Sequence, residues 1–249
     1  MGRKWFLILG SAALLVVIAA LVYVFFPSPR FLREEYIGGK YQCRLGISGE
    51  DPQGFEVGWL FYVKDGVEQN GYFNAYLRNA LDWIKLDTPE SAVFLNWWDY
   101  GHMIVGYSEK ESVIKNPSEE ALVSVRDPAD YEELVPHEMI VDVAKALATT
   151  NESETLSMMN KYNATHILVT AVDGGGKATW IFRFAGHNIT DYMNMTWYSS
   201  SHNGYTFNPN MYNEIGRETT IYKILTNTEI EGLIQVYSDE YVKIYKLET

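Results

Sequence analysis

The most regular pattern along the chain is helical. Phe73, Tyr76, Leu77, Ala80, Leu81 and Ile84 recur at i, i+3, i+4 spacing and predict an amphipathic helix over residues 71–86. Thr88-Pro89 stops it, because the residue before a proline is driven out of the α region. Ser91 to Leu95 is a short apolar run that predicts a buried strand leading into Asn96. Ile140, Val143, Ala144, Leu147 and Ala148 outline a second helix, and Asn151 with Glu154 three residues on is a capping signature for a third, through about Tyr162. Ile167 to Val172 is rich in strand formers and ends at Asp173-Gly-Gly-Gly176. Leu233–Tyr237 and Tyr241–Leu247 flank Ser238-Asp-Glu240 and predict a terminal hairpin. These elements describe one mixed α/β (α+β) globular domain over residues 31–249. Its core spans about 70–185, a β-rich part covers 186–249, and it has no internal repeat.

A different pattern precedes it. Trp5 to Phe26 is a run of twenty-two residues without a charge, ended by Pro27-Ser-Pro-Arg30. About twenty apolar residues match a bilayer core of roughly 30 Å, so residues 1–30 predict a single transmembrane helix with short flanks. The run is too long for the apolar region of a cleaved signal peptide, about 7–15 residues, and it ends Tyr-Val-Phe-Phe-Pro rather than in small residues. Arg3 and Lys4 precede the span while Arg30, Arg33 and Lys40 follow it, so basic residues alone do not orient it. Residues 31–249 carry all 32 acids against 17 bases, a net of −15, which favours an extracytoplasmic domain of a single-pass cell-membrane protein. The same acidity, with a pI near 4.9, argues against nucleic acid as a partner, because phosphate binding needs clustered Lys and Arg. Cys43 is the one cysteine, which excludes an intrachain disulfide and any multi-cysteine zinc site and reads as a small half-buried hydrophobe.

The segment with chemistry to offer is Asn96-Trp97-Trp98-Asp99-Tyr100-Gly101-His102. Each indole gives one N–H donor and no acceptor, while an ionised Asp99 gives only acceptors. A hydroxyl, being both, can take an indole N–H and give its proton to the carboxylate. Surrounding ring faces would exclude water and strengthen both bonds. Composition alone is equally compatible with a Trp-rich core in which Asp99 caps a turn.

The string Trp97-Trp98-Asp99-Tyr100-Gly101 resembles the WWDYG motif of the oligosaccharyltransferase catalytic subunit family. Its surroundings are similar over about residues 70–185. Ala80-Leu-Asp-Trp-Ile-Lys-Leu-Asp-Thr-Pro89 leads into the motif, and Lys145-Ala-Leu-Ala-Thr-Thr, Glu152-Ser-Glu154 and Tyr162-Asn-Ala-Thr-His-Ile-Leu-Val169 follow it. The apolar N-terminal run resembles the family's last membrane helix. The resemblance implies that Trp97, Trp98 and Asp99 hydrogen-bond the Ser/Thr hydroxyl of an acceptor sequon, Asn-X-Ser/Thr. It also implies a second motif, DxxKxxx(M/I), whose last residue packs near the Thr methyl. Lys177 and Ile181 fit its Lys-to-Ile spacing, and that lysine form leans archaeal. Asp173 stands four residues before Lys177 where the motif has three, so it departs from the pattern. With Tyr100 and Gly101 it is a supporting residue.

The family's metal-binding carboxylates (Mn or Mg) and its lipid-linked oligosaccharide site lie in a multi-span membrane region ahead of this domain. The resemblance therefore places no catalytic residue, metal ligand or cofactor in this sequence. It implies a domain that recognises acceptor polypeptides beside a membrane partner region. The competing reading is a single-pass anchored surface binding protein with no glycosylation role.

Other patterns fall away. His137-Glu138 begins a zinc-protease helix, but Val141 stands where the second His is needed. Gly176-Lys177 would end a phosphate loop, but that motif needs Gly at 171 and Ser/Thr at 178, where alanines stand. His102, His137, His166, His187 and His202 show no ligand spacing, and Arg126 to Glu133 reads as a solvated charged loop. Four sequons, at Asn151, Asn163, Asn188 and Asn194, would be open to N-glycosylation on an outward-facing domain; Asn116-Pro-Ser118 is excluded by its proline.

Overall fold

A computed structural model describes residues 31–115, 138–194 and 206–248. The apolar run 5–26 and the charged loop 126–133 lie outside the described residues, and among those that are described no helix is long and apolar enough to cross a membrane.

The chain begins with an antiparallel meander, β1 (Arg33–Gly38), β2 (Cys43–Glu50), β3 (Glu56–Lys64) and β4 (Val67–Asn74), paired in that order. Alternation builds it. Cys43, Leu45 and Ile47 of β2, Leu60 and Tyr62 of β3 and Phe73 of β4 face the core, while Arg44, Trp59 and Tyr72 stay exposed. Asp65 and Gly66 join β3 to β4, both at positive φ (55° and 76°), as a two-residue hairpin turn requires.

This meander corrects the helix predicted over 71–86, because residues 71–74 are strand and α1 covers only Arg78–Asp87. Phe73 satisfies both a period of two and the i, i+3, i+4 spacing, and the pairing of Gly71, Tyr72 and Phe73 with Leu60, Trp59 and Gly58 of β3 decides for the strand. Asn74 makes the switch: its side chain is an N-cap, accepting from Tyr76 N at 3.1 Å over a short 3-10 turn, Ala75–Leu77. Beyond it the expected face is in place, with Ala80, Leu81 and Ile84 buried and Thr88 extended before Pro89.

The second sheet has the order β6-β5-β7-β9-β8. β5 (Val93–Asn96) runs parallel to β6 (Glu111–Ser112) and β7 (His166–Thr170), and β9 (Val242–Leu247) pairs antiparallel with β7 and with the edge strand β8 (Leu233–Ser238). All five residues of β7 are buried, as expected of a central strand covered on both faces. The strands expected near 91–95 and 167–172 and the terminal hairpin all occur, with ends shifted by one to two residues.

Helix α2 (Gly101–Gly106) leaves the motif directly and packs on β3 and β4 of the first sheet and on β6 of the second. Helices α3 (Glu138–Ala148), α4 (Glu152–Lys161), α5 (Ala178–Phe184) and α6 (Thr220–Leu225) cluster around α3, and α6 lies on β7 and β9. Asn151 caps α4 through Ser153 N, but Glu154 does not close the box onto Asn151. It accepts from Thr149 Oγ1 at 2.6 Å, and the Asn151 N–H goes to the same hydroxyl at 3.0 Å, so Thr149 stands between the two. Cys43 is fully buried, and burial pushes its thiol up to about 12.

Candidate functional site

The two segments that carry the motifs follow adjacent parallel strands. β5 ends at Asn96 and runs into Trp97–Gly101, while β7 ends at Thr170 and runs into the turn 171–177. Loops at the carboxyl ends of neighbouring parallel strands are where open α/β sheets bind ligands. Here that geometry brings residues about 75 positions apart in sequence into contact, as in the Lys177–Tyr100 bond.

The first loop is held from below. Asn96 is fully buried; its amide donates to Trp97 O at 2.8 Å and its carbonyl accepts from Ser112 Oγ at 2.8 Å. Trp97 stays extended (φ −61°, ψ 143°), and residues 98–100 then turn through a 3-10 helix closed by Tyr100 N to Trp97 O at 3.1 Å. The turn must pack tightly: a Cβ on Gly101 would run into the Ile114 carbonyl and come within 2.6 Å of Lys115 Cα. In the second loop the same argument holds for Gly175, whose added Cβ would sit 2.7 Å from Thr206 O. Its φ is not positive, so close approach rather than turn geometry calls for glycine there.

Polar groups link the loops. Lys177 Nζ lies 3.0 Å from Asp99 Oδ2, donates to Tyr100 Oη at 3.0 Å and sits 4.3 Å from the Tyr100 ring centroid. Tyr100 Oη donates to Asp173 Oδ1 at 2.7 Å and lies 2.8 Å from Thr170 Oγ1; Asp173 Oδ2 accepts from Thr170 N at 2.8 Å. Asp173 is fully buried, and that burial raises its carboxyl to about 6 despite the ammonium of Lys177. Burial also drives the Tyr100 phenol well above its usual range, so it acts as a neutral donor.

Two cavities, each of about 340 Å³, flank the Asp99–Lys177 pair and share Asp99, Val172 and Lys177 as a common wall. One is an indole-rich cleft formed by Trp97, Trp98, Trp180 and Phe184. The other opens toward the first sheet, against Asp51, Phe55, Tyr76 and Tyr241. Trp97 is only 2% exposed yet lines the indole cleft, and Trp98 is half-buried beside it with ring centroids 6.4 Å apart. Among the described residues neither indole N–H has a protein acceptor, and Asp99 meets only Lys177. Asp99 therefore keeps acceptor capacity beside the cleft that the two indoles line.

The structure thus gathers Trp97, Trp98, Asp99, Tyr100, Lys177 and Asp173 into one constellation. Ile181 lies one turn after Lys177 on α5, fully buried, and lines neither cavity; the side chains that α5 gives the cleft are Trp180 and Phe184. Thr170, Trp180 and Phe184 were not singled out from sequence. Thr170 could have been flagged as a polar residue at the end of an apolar strand. Asn151, Asn163, Asn188 and Asn194 are all exposed, and Thr196 of the last sequon lies outside the described residues. Among the described residues no group of three or more His, Cys, Asp or Glu is placed to hold a metal ion.

No protein-family profile matches the chain. A 59-residue stretch is 30% identical to the stt3 subunit of a dolichyl-diphosphooligosaccharide–protein glycosyltransferase from Schizosaccharomyces pombe, covering 24% of this chain and 6% of that protein. Among solved structures, the chain is similar to the C-terminal globular domain of an Archaeoglobus fulgidus oligosaccharyltransferase (19% identity, 69% of this chain, 96% of that one, TM-score 0.47). It is also similar to an A. fulgidus oligosaccharyltransferase tethered with an acceptor peptide containing the NVT sequon (14% identity, 66% and 23% coverage, TM-score 0.44).

Proposed function

We propose that this chain carries the acceptor-sequon recognition domain of a membrane oligosaccharyltransferase, which transfers a lipid-linked glycan to asparagine in protein N-glycosylation. The observation that carries the reading is the indole cleft, lined by Trp97 and Trp98 and bounded by Asp99, whose carboxylate is paired with Lys177. The Ser or Thr hydroxyl of Asn-X-Ser/Thr would accept from an indole and donate to Asp99. The WWDYG string and the stretch shared with the fission-yeast subunit support the same reading.

On this reading residues 5–26 anchor the domain in the membrane with residues 31–249 outside the cytoplasm. The divalent metal and the lipid-linked oligosaccharide belong to a multi-span region that is not among these 249 residues. This domain supplies no catalytic group; it binds and orients the acceptor. Peptides Asn-X-Thr and Asn-X-Ala, titrated against the full chain in detergent micelles, test this. A preference for Thr of about tenfold matches the loss of one buried hydroxyl pairing, on the order of 1–3 kcal/mol. Equal binding of the two peptides favours an anchored surface protein instead.

A further inference from the structure

The cavity on the far side of the Asp99–Lys177 pair has a wall that the sequon reading leaves unused. Asp51, in the β2–β3 loop, is half-buried there, and its oxygens meet only neutral donors: Gln53 N at 3.0 Å, Phe55 N at 2.9 Å and Asn74 Nδ2 at 2.9 Å. No Lys or Arg pairs with it among the described residues. Around it Phe55, Tyr76 and Tyr241 form a triad of rings with centroids 5.0–6.1 Å apart, and the half-exposed Tyr72 closes one side. The cation that shares this cavity, Lys177, is already neutralised by Asp99 at 3.0 Å. What remains is a carboxylate without a counter-ion in a cavity walled by aromatic rings, a combination that attracts an ammonium or guanidinium group.

We propose that this cavity is a subsite for a cationic side chain, Lys or Arg, of the acceptor polypeptide a few residues from the sequon. The inference rests on the sequon reading for the identity of the polypeptide, and on the geometry of the cavity for the charge. The shared wall makes the two pockets neighbours, which puts the aromatic cavity within a few residues' reach of a peptide whose hydroxyl meets Asp99. Tyr72 and Asn74 come from β4 and Asp51 from the β2–β3 loop, which gives the first sheet a part in recognition.

The test is a scan of Asn-Val-Thr peptides carrying a single Lys, or its uncharged isostere norleucine, at each of the three positions on either side of the sequon. Binding is measured to the full chain in micelles, at low and high salt. Lys is expected to bind roughly three- to thirtyfold tighter than norleucine at one position, less so in high salt. Asp51→Asn and, independently, Phe55→Leu should remove that preference while leaving discrimination of Thr from Ala intact. No preference for Lys at any position overturns the subsite. If the chain fails to distinguish Thr from Ala, the sequon reading falls. The cavity is then judged by titrating N-acetyl-lysine amide against chain with a fluorine-labelled Phe55. A fluorine shift that Asp51→Asn abolishes keeps the cation site, and no shift overturns it.

Discussion

Asp99 and Lys177, 78 positions apart, face each other at 3.0 Å across the boundary between two cavities. Both side chains are about a quarter exposed (26% and 23%), so the pair adds little to folding, at most about 1 kcal/mol. Its consequence is positional: Lys177 fixes one carboxylate oxygen and leaves the other side of Asp99 open to a ligand. Lys177→Met should weaken Asn-X-Thr binding by on the order of tenfold, since charge-assisted bonds are worth about 1.5–3 kcal/mol. It should also raise the Asp173 carboxyl further above about 6, because the nearby ammonium is the main influence holding it down. Isothermal titration and a carboxyl-resolved NMR titration read the two effects separately.

Tyr100 is the hub between the loops. Its hydroxyl serves Asp173, Thr170 and Lys177 together. Tyr100→Phe keeps the ring and its packing but leaves a buried carboxylate one donor short. Loss of about 1–3 kcal/mol in unfolding free energy is expected by denaturant titration, with weaker peptide binding as Lys177 loses a ligand.

The pH dependence has two opposed contributors. Asp173 has a folded-state pKa of about 6, above its ordinary 3.8, so the folded chain holds the proton more tightly. Its contribution is therefore greatest below the ordinary value and is lost as pH rises through about 6. His166 is buried against Phe94, and burial lowers it from 6.5 to about 4. Its contribution is present above 6.5 and is lost as pH falls toward about 4. Thermal melts of wild type minus Asp173→Asn isolate the first: the difference should move against wild type as pH rises from 4 to 7.

Gly101 is a packing requirement of the motif, separate from its chemistry. Gly101→Ala drives a methyl into the Ile114 carbonyl, and overpacking of this kind costs typically 1–3 kcal/mol. A lowered melting temperature is expected, whereas Asp99→Asn should leave the melt close to wild type.

Elements with a single clear period were legible in the sequence. α3, the strand into Asn96 and the terminal hairpin stand where patterning put them, and Cys43 is a small hydrophobe as expected, though fully rather than half-buried. The first sheet was not recognised, although Asp65-Gly66 between apolar runs is a strong hairpin signal, and Phe73 fitted a helix equally well. The motif segment stood out in the sequence through the string Trp97-Trp98-Asp99-Tyr100-Gly101, since its donors and acceptors alone were compatible with a Trp-rich core. That Lys177 would meet Asp99 was not, since the contact depends on β5 and β7 pairing in parallel. Asp51 was invisible for the same reason: a lone acid in a turn acquires meaning only once β4 and Tyr241 close around it.

The central claim is that Asp99 reads the sequon hydroxyl. Affinities of Asn-X-Thr and Asn-X-Ala peptides for wild type and for Asp99→Asn, in one thermodynamic cycle, test it most directly. Wild type should prefer Thr by about tenfold and Asp99→Asn should bind the two peptides within about twofold, with an unchanged melting temperature. A Thr preference that survives undiminished in Asp99→Asn would contradict it.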